Sequence, residues 1–190
     1  MKFNTIKFVA LIFISLLSLT SMAQKKGEKI IAPDMPINST TNKISYTKIV
    51  TPSNYNEAKV LKEKGLKWFH SYYKNSSNII KSNTETELIG HPRFRILNPK
   101  SKKGVQTTAG IVEYFIKIYF KNGKYKYEIT DFNWKQTSKF PIEKWMNKES
   151  ATYKNAYAFY LQQVDEDAKK TIASLEKAMS AEAEAKNDDW

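Results

Sequence analysis

Two runs of alternating residues flank Asn122-Gly123, and no other feature of the 190-residue chain constrains its fold as tightly. An Asn-Gly pair between such runs is the strongest short-range hairpin signal, because a type I′ turn needs positive φ at both central residues. With those two as the loop, the numbers of paired residues sum to 245. One face then pairs Phe120 with Tyr125, Ile118 with Tyr127, Ile116 with Ile129 and Tyr114 with Asp131. The other pairs Lys121 with Lys124, Tyr119 with Lys126, Lys117 with Glu128 and Phe115 with Thr130. The first set reads as a core face. The second holds an opposite-charge pair and a cation–π pair, each worth about 0.2–1 kcal/mol. A slip of one residue would spoil both faces together. The interleaving of aromatics with lysines is thus explained by the pleat of one half-buried hairpin.

The flanking segments supply the other elements. Ile44, Tyr46 and Val50 alternate with Ser45, Thr47 and Ile49, which predicts a strand over 43–50. Pro52 ends it, and Asn54 with Glu57 makes a capping-box-like helix start. Ala58, Leu61, Gly65, Trp68, Phe69 and Tyr72 share one helical face. Gly65 costs about 1 kcal/mol there relative to Ala, offset if the helix approaches a sheet closely. "NIIKS" (78–82) and "ELIGHPRFRIL" (87–97) read as strands, the second with Pro92 at an edge or bulge. Residues 98–108 form a basic loop, and Pro141 opens a short helix. Tyr157, Leu161, Val164, Ala168, Ile172, Leu175 and Met179 keep helical spacing, with Asp165-Glu166-Asp167 dividing the run into two helices and Asp165 capping the second. The order strand, helix, four strands, helix predicts an α+β two-layer sandwich: an antiparallel sheet, helices on one face, the other face open.

The N-terminus carries Lys2 and Lys7, a 12-residue apolar run from Phe8 to Leu19, and small residues at Ser21 and Ala23. The run is shorter than the roughly 20 residues that span a bilayer, so 1–23 is expected to be a cleaved signal peptide. Without a cysteine near the cut, lipoprotein processing is excluded. Residues 24–42, with Pro33 and Pro36, read as an extended leader with one short strand at Ile30-Ile31; 43–180 as a single domain; 181–190 as a charged tail. No later stretch is apolar enough to cross a membrane. An exported chain with zero cysteines fits a bacterial envelope, periplasmic or extracellular. Signal removal lowers the net charge from +12 to +10, because Lys2 and Lys7 leave with it. Only Arg93 and Arg95 are arginines among 31 basic residues. Specific phosphate recognition favours the bidentate guanidinium, so this lysine excess argues against a nucleic-acid partner and for tolerance of anionic surfaces.

Four segments in order, "GLKWFHSYYKNSSNIIKS", "ELIGHPRF", "IKIYFKNGKYKYEITDF" and "LQQVDEDAKKTIASLEKAM", resemble a family of secreted bacterial domains of unknown function described as having a TATA-binding-protein-like fold. The resemblance runs from about Lys43 to Met179. It implies that fold and carries no assigned activity, cofactor or catalytic residue. A fold name does not imply DNA binding.

Chemistry-bearing residues are few. His70 and Ser71, neighbours on a helix, diverge by about 100° and make no dyad. His70 reads as an interfacial helix residue and His91 as part of the sheet's polar face, a layout that disfavours a two-His metal site. No residue set points to a cofactor. Asp131, on the core-facing parity, reads mainly as a strand-end carboxylate bonded to the backbone or a lysine. Its functional reading is general acid or base of an envelope-polymer hydrolase, paired with a second carboxylate. The constellation that invites a ligand is His91, Arg93 and Arg95 on one strand, with Lys117, Tyr119 and Lys126 on the hairpin. Facing outward together, they would form a basic, aromatic-dotted sheet face, a dock for a protein partner or an anionic envelope polymer. A solvated lysine-rich face is the plainer alternative. The leading expectation is thus an exported, non-enzymatic binding domain. The other expectations are the hydrolase using Asp131 and a scaffold subunit held by its C-terminal helix.

Overall fold

The computed structural model describes residues 30–54 and 57–181. The expected signal peptide, residues 24–29 of the leader and all but Ala181 of the tail lie outside the described residues. Chain order is β1 (Ile37–Asn38), β2 (Lys43–Val50), α1 (Ala58–Tyr72), the one-turn α2 (Ser76–Ile79), β3 (Ile80–Asn83), β4 (Glu87–Gly90), β5 (Arg93–Leu97), β6 (Thr108–Lys121), β7 (Lys124–Lys135), β8 (Lys139–Pro141), a 3₁₀ turn (Ile142–Met146) and α3 (Ala156–Ser180). Among the described residues eight antiparallel strands form one open sheet in the order β1-β2-β7-β6-β4-β3, with β5 also on β6 and β8 on β7. Both long helices cover one face of it. Their apolar stripes, with Leu61, Trp68, Phe69, Leu161, Val164, Ala168 and Leu175, join Ile116, Ile118, Phe120, Tyr125 and Ile129 in one core. The expected α+β sandwich is therefore present, with more strands than foreseen.

The hairpin register matches the sum of 245 from Lys121↔Lys124 through Phe115↔Thr130. Its turn differs from expectation. Only Gly123 of the pair has positive φ (76°), so the turn is not type I′. Asn122 instead directs its side chain to α1, where its Oδ1 accepts the Ala58 N–H at 3.0 Å. The expected Asn54–Glu57 capping box is absent: α1 begins at Ala58, and Glu57 makes no side-chain cap. A tertiary cap has replaced a local one. Gly65 lies where α1 crosses Phe120; a Cβ there would sit 2.8 Å from Phe120 Cζ. The close approach that offsets its poor helix propensity is thus real.

Three further expectations are corrected. Ile30-Ile31 forms no strand, and Ile31 is exposed. The pairing strand is Ile37–Asn38, fixed by a turn in which Asn38 Oδ1 accepts the Thr40 and Thr41 N–H groups, both at 3.0 Å. The expected strand over 87–97 is two strands, β4 and β5, interrupted at His91-Pro92, where proline lacks a ladder donor. The C-terminal helix is unbroken over 25 residues. Asp165 caps nothing: it faces the core interior, where its Oδ1 accepts the Tyr46 hydroxyl at 2.8 Å and its Oδ2 pairs with Lys169 at 2.7 Å.

Candidate functional site

Beyond Phe115↔Thr130 the hairpin slips. Val112 pairs with Trp134 and Glu113 with Asn133, a sum of 246. The extra residue is Asp131, held at φ 58°, the left-handed conformation of a β-bulge. Asp131 therefore leaves the core-facing parity assigned to it. Its half-buried carboxylate forms an ion pair with Lys43, which raises that lysine's pKa. Phe132 takes the core position instead, its ring centroid 5.2 Å from that of Tyr114. The signal was present in the sequence: strict alternation sends Phe132 and Trp134 outward and an aspartate inward, three mismatches that one inserted residue removes.

The face opposite the helices carries Glu113, Phe115, Lys117 and Tyr119 of β6, whose neighbours Val112, Tyr114, Ile116 and Ile118 are buried. Arg93 lies opposite Glu113, and Arg95 opposite Ile111. Lys126 and Glu128 lie opposite Tyr119 and Lys117, with Glu87 and Ile89 on the other side. All five expected residues thus share this face: Arg93, Arg95 and Lys126 are exposed, Lys117 and Tyr119 half-buried. Lys117 pairs with Glu128 at 3.6 Å. Burial, then Glu128 and Glu87, raise the Tyr119 phenol's pKa. Lys126 is Tyr119's register partner without a cation–π contact to it; Lys144 does lie over the Phe140 ring, 5.2 Å from its centroid.

The five do not form one cluster. Glu113, beside Arg93, and Tyr119 stand six positions apart along β6, about 20 Å of strand. Arg93 and His91 instead join residues that periodicity does not link. The chain leaving α1 turns at Asn75, in the left-handed region at φ 55°, into α2 and then β3. His70 Nδ1 meets the buried Ser76 Oγ at 2.7 Å, and the His91 N–H donates to Ile79 O at 2.9 Å. His70 is therefore a fastener for this arm; among the described residues no carboxylate bonds its ring. The fastened arm and the strand ends enclose a cleft of about 480 Å³ lined by Lys74, Asn75, Asn78, Ile79, Lys81, His91, Arg93, Glu113 and Lys135. Among the described residues of that lining, four cations face one carboxylate. Among the described residues no ion pair within 4.0 Å engages Lys74, Lys81, Arg93 or Lys135. The His91 ring stacks on Phe115 at 4.4 Å and 8°. Burial lowers its pKa below 6.5, opposed by Glu113 and helped by Lys81, Lys139 and Lys135, so the imidazole is neutral at pH 7.

Residues 46–135 match the model of a domain of unknown function, DUF4468, with TBP-like fold. No curated protein matches the chain. The structure is similar to that of a DUF4468 family protein from Bacteroides ovatus ATCC 8483, with TM-score 0.60 and 18% identity over 81% of this chain and 95% of that one. It is also similar to a TBP-like protein from Parabacteroides distasonis ATCC 8503, with TM-score 0.50 and 12% identity over 75% of this chain and 97% of that one. Among the described residues no helix is long and apolar enough to cross a membrane. The segment from Tyr46 to Lys135 is thus similar to the DUF4468 domain, within a chain of TBP-like fold.

Proposed function

We propose that this protein is an exported, non-enzymatic binding module that engages an anionic envelope ligand or partner through the sheet face opposite its helices. The observation that carries this reading is that face itself. Arg93, Arg95 and Lys126 stand exposed on strands held by the core, Lys126 opposite a half-buried Tyr119 and the two arginines farther along, beside β6. An excess of positive over negative charge on a rigid surface attracts anions over about one Debye length, roughly 8 Å at physiological salt. Two observations count against the alternatives. The Asp131 carboxylate is engaged by Lys43. The apolar stripe of α3 is already buried within the domain's own core, leaving it poorly suited to hold the chain in a scaffold. The signal-like segment 1–23 supports export.

The test is retention of purified protein on bacterial envelope material and on arrays of acidic glycans, with the Arg93→Ala/Arg95→Ala/Tyr119→Ala variant alongside. Retention that weakens with added salt and drops at least about tenfold in the variant supports the reading. Equal retention of both proteins refutes it.

A further inference from the structure

The geometry points to the cleft between the α2 arm and the strand ends as a site for a compact, multiply phosphorylated sugar-sized ligand. This inference deepens the binding reading above and rests on it.

Size comes first. A volume of about 480 Å³ suits a mono- or disaccharide, toward the lower part of the roughly 300–1,000 Å³ common for ligand sites. Charge comes second. Lys74, Lys81, Arg93 and Lys135 converge there, with Glu113 as the one acid among the described lining residues. That excess calls for several negative charges in a small volume. A carboxylated sugar brings one per ring, whereas a phosphate monoester brings about 1.5–2. Arg93 supplies a fork for two phosphate oxygens, and the lysines act as point charges. The remaining lining suits the hydroxyl groups of such a scaffold. Asn75 and Asn78 offer amide donors and acceptors, and Glu113 accepts from hydroxyls. The walls are held in place before any ligand arrives, by the His70–Ser76 contact, the His91–Ile79 bond and the His91–Phe115 stack. A preformed site loses less to ordering on binding.

The ligand could be a free sugar phosphate or the phosphorylated headgroup of an envelope glycolipid. Isothermal titration with glucose 1,6-bisphosphate, and sedimentation with vesicles carrying a bisphosphorylated disaccharide lipid, separate the two sources. Saturable binding in either assay supports the site. Two variants refine the test: Lys74→Ala/Lys81→Ala/Lys135→Ala, and the single reversal Lys81→Glu at an exposed position. Each should weaken binding at least about tenfold with the unfolding midpoint unchanged. Lys100→Ala/Lys102→Ala/Lys103→Ala, an equal loss of charge in the 98–107 loop, should change it less than about twofold. No saturable binding at millimolar ligand, or equal losses from the cleft and loop variants, overturns the inference. The wider face reading fails separately, if envelope retention is indifferent to Arg93, Arg95 and Tyr119.

Discussion

The two ends of the β6–β7 hairpin obey different rules. Near the turn, every pair from Lys121↔Lys124 to Phe115↔Thr130 follows from two-residue alternation. Beneath it lie Ile116, Ile118 and Phe120, all apolar. At the far end one inserted residue, Asp131, shifts the register, and the core beneath is partly polar. There the Tyr114 hydroxyl lies 3.3 Å from that of Tyr73 and 3.4 Å from Thr171 Oγ1, with Asp167 close by. The cleft opens at this end too, bounded by Glu113 and Lys135. The regular end supplies stiffness, while the irregular end brings distant chain segments together around a charged opening.

Substitutions can break this comparison. The largest effect belongs to Phe132→Ala at the irregular end, where a 1% exposed ring fills the core position that the bulge makes available. It should cost about 3–5 kcal/mol in urea unfolding. At the regular end, Gly65→Ala drives a Cβ against Phe120. We expect a net loss of about 1–2 kcal/mol, since overpacking outweighs the helix propensity gained, and partial rescue by Phe120→Leu. Asp131→Val places a β-branched residue at φ 58° and should cost about 1–2 kcal/mol, whereas Asp131→Gly should stay within about 0.5 kcal/mol of wild type. Equal losses from Val and Gly would show that the bulge conformation is unimportant.

The smallest effect is a pH dependence confined to the irregular end. Burial raises the Asp167 carboxyl to about pKa 6 from an ordinary 3.8, against the lowering influence of Tyr114 and Lys170. The folded state therefore binds this proton more tightly than the unfolded state, and Asp167's contribution to stability declines as pH rises from about 4 to about 6. Asp167→Asn keeps the neutral shape, so it should flatten that part of the profile and gain about 1 kcal/mol at pH 7. An unaltered profile in this variant would remove Asp167 from the account.

Much of the fold was legible because its signals are local and periodic. The helix faces, the strand over 43–50 and seven hairpin pairs all follow from spacing alone. What was not legible depends on contacts across the fold. The cap on α1 comes from Asn122, 64 residues away, so the nearby Asn54 misled. Asp165 resembles a cap by composition, but Tyr46 and Lys169 satisfy it inside a continuous helix. For the candidate site, parity found Arg93, Arg95, Lys117, Tyr119 and Lys126 on one face but not their separation along β6. Lys74, Lys81 and Lys135 join His91 and Arg93 only because the arm folds back against the strand ends, and no sequence period connects them.

The cleft at the irregular end is proposed to take a phosphorylated ligand. The most direct test is a chemical-shift titration of the isotope-labelled protein with glucose 1,6-bisphosphate. Ligand held in the cleft should give saturating shifts concentrated at Lys74–Lys81, His91–Arg93, Glu113 and Lys135, with the turn end of the hairpin unmoved. Shifts scattered over the surface lysines, or centred on Lys121–Lys126, would contradict it.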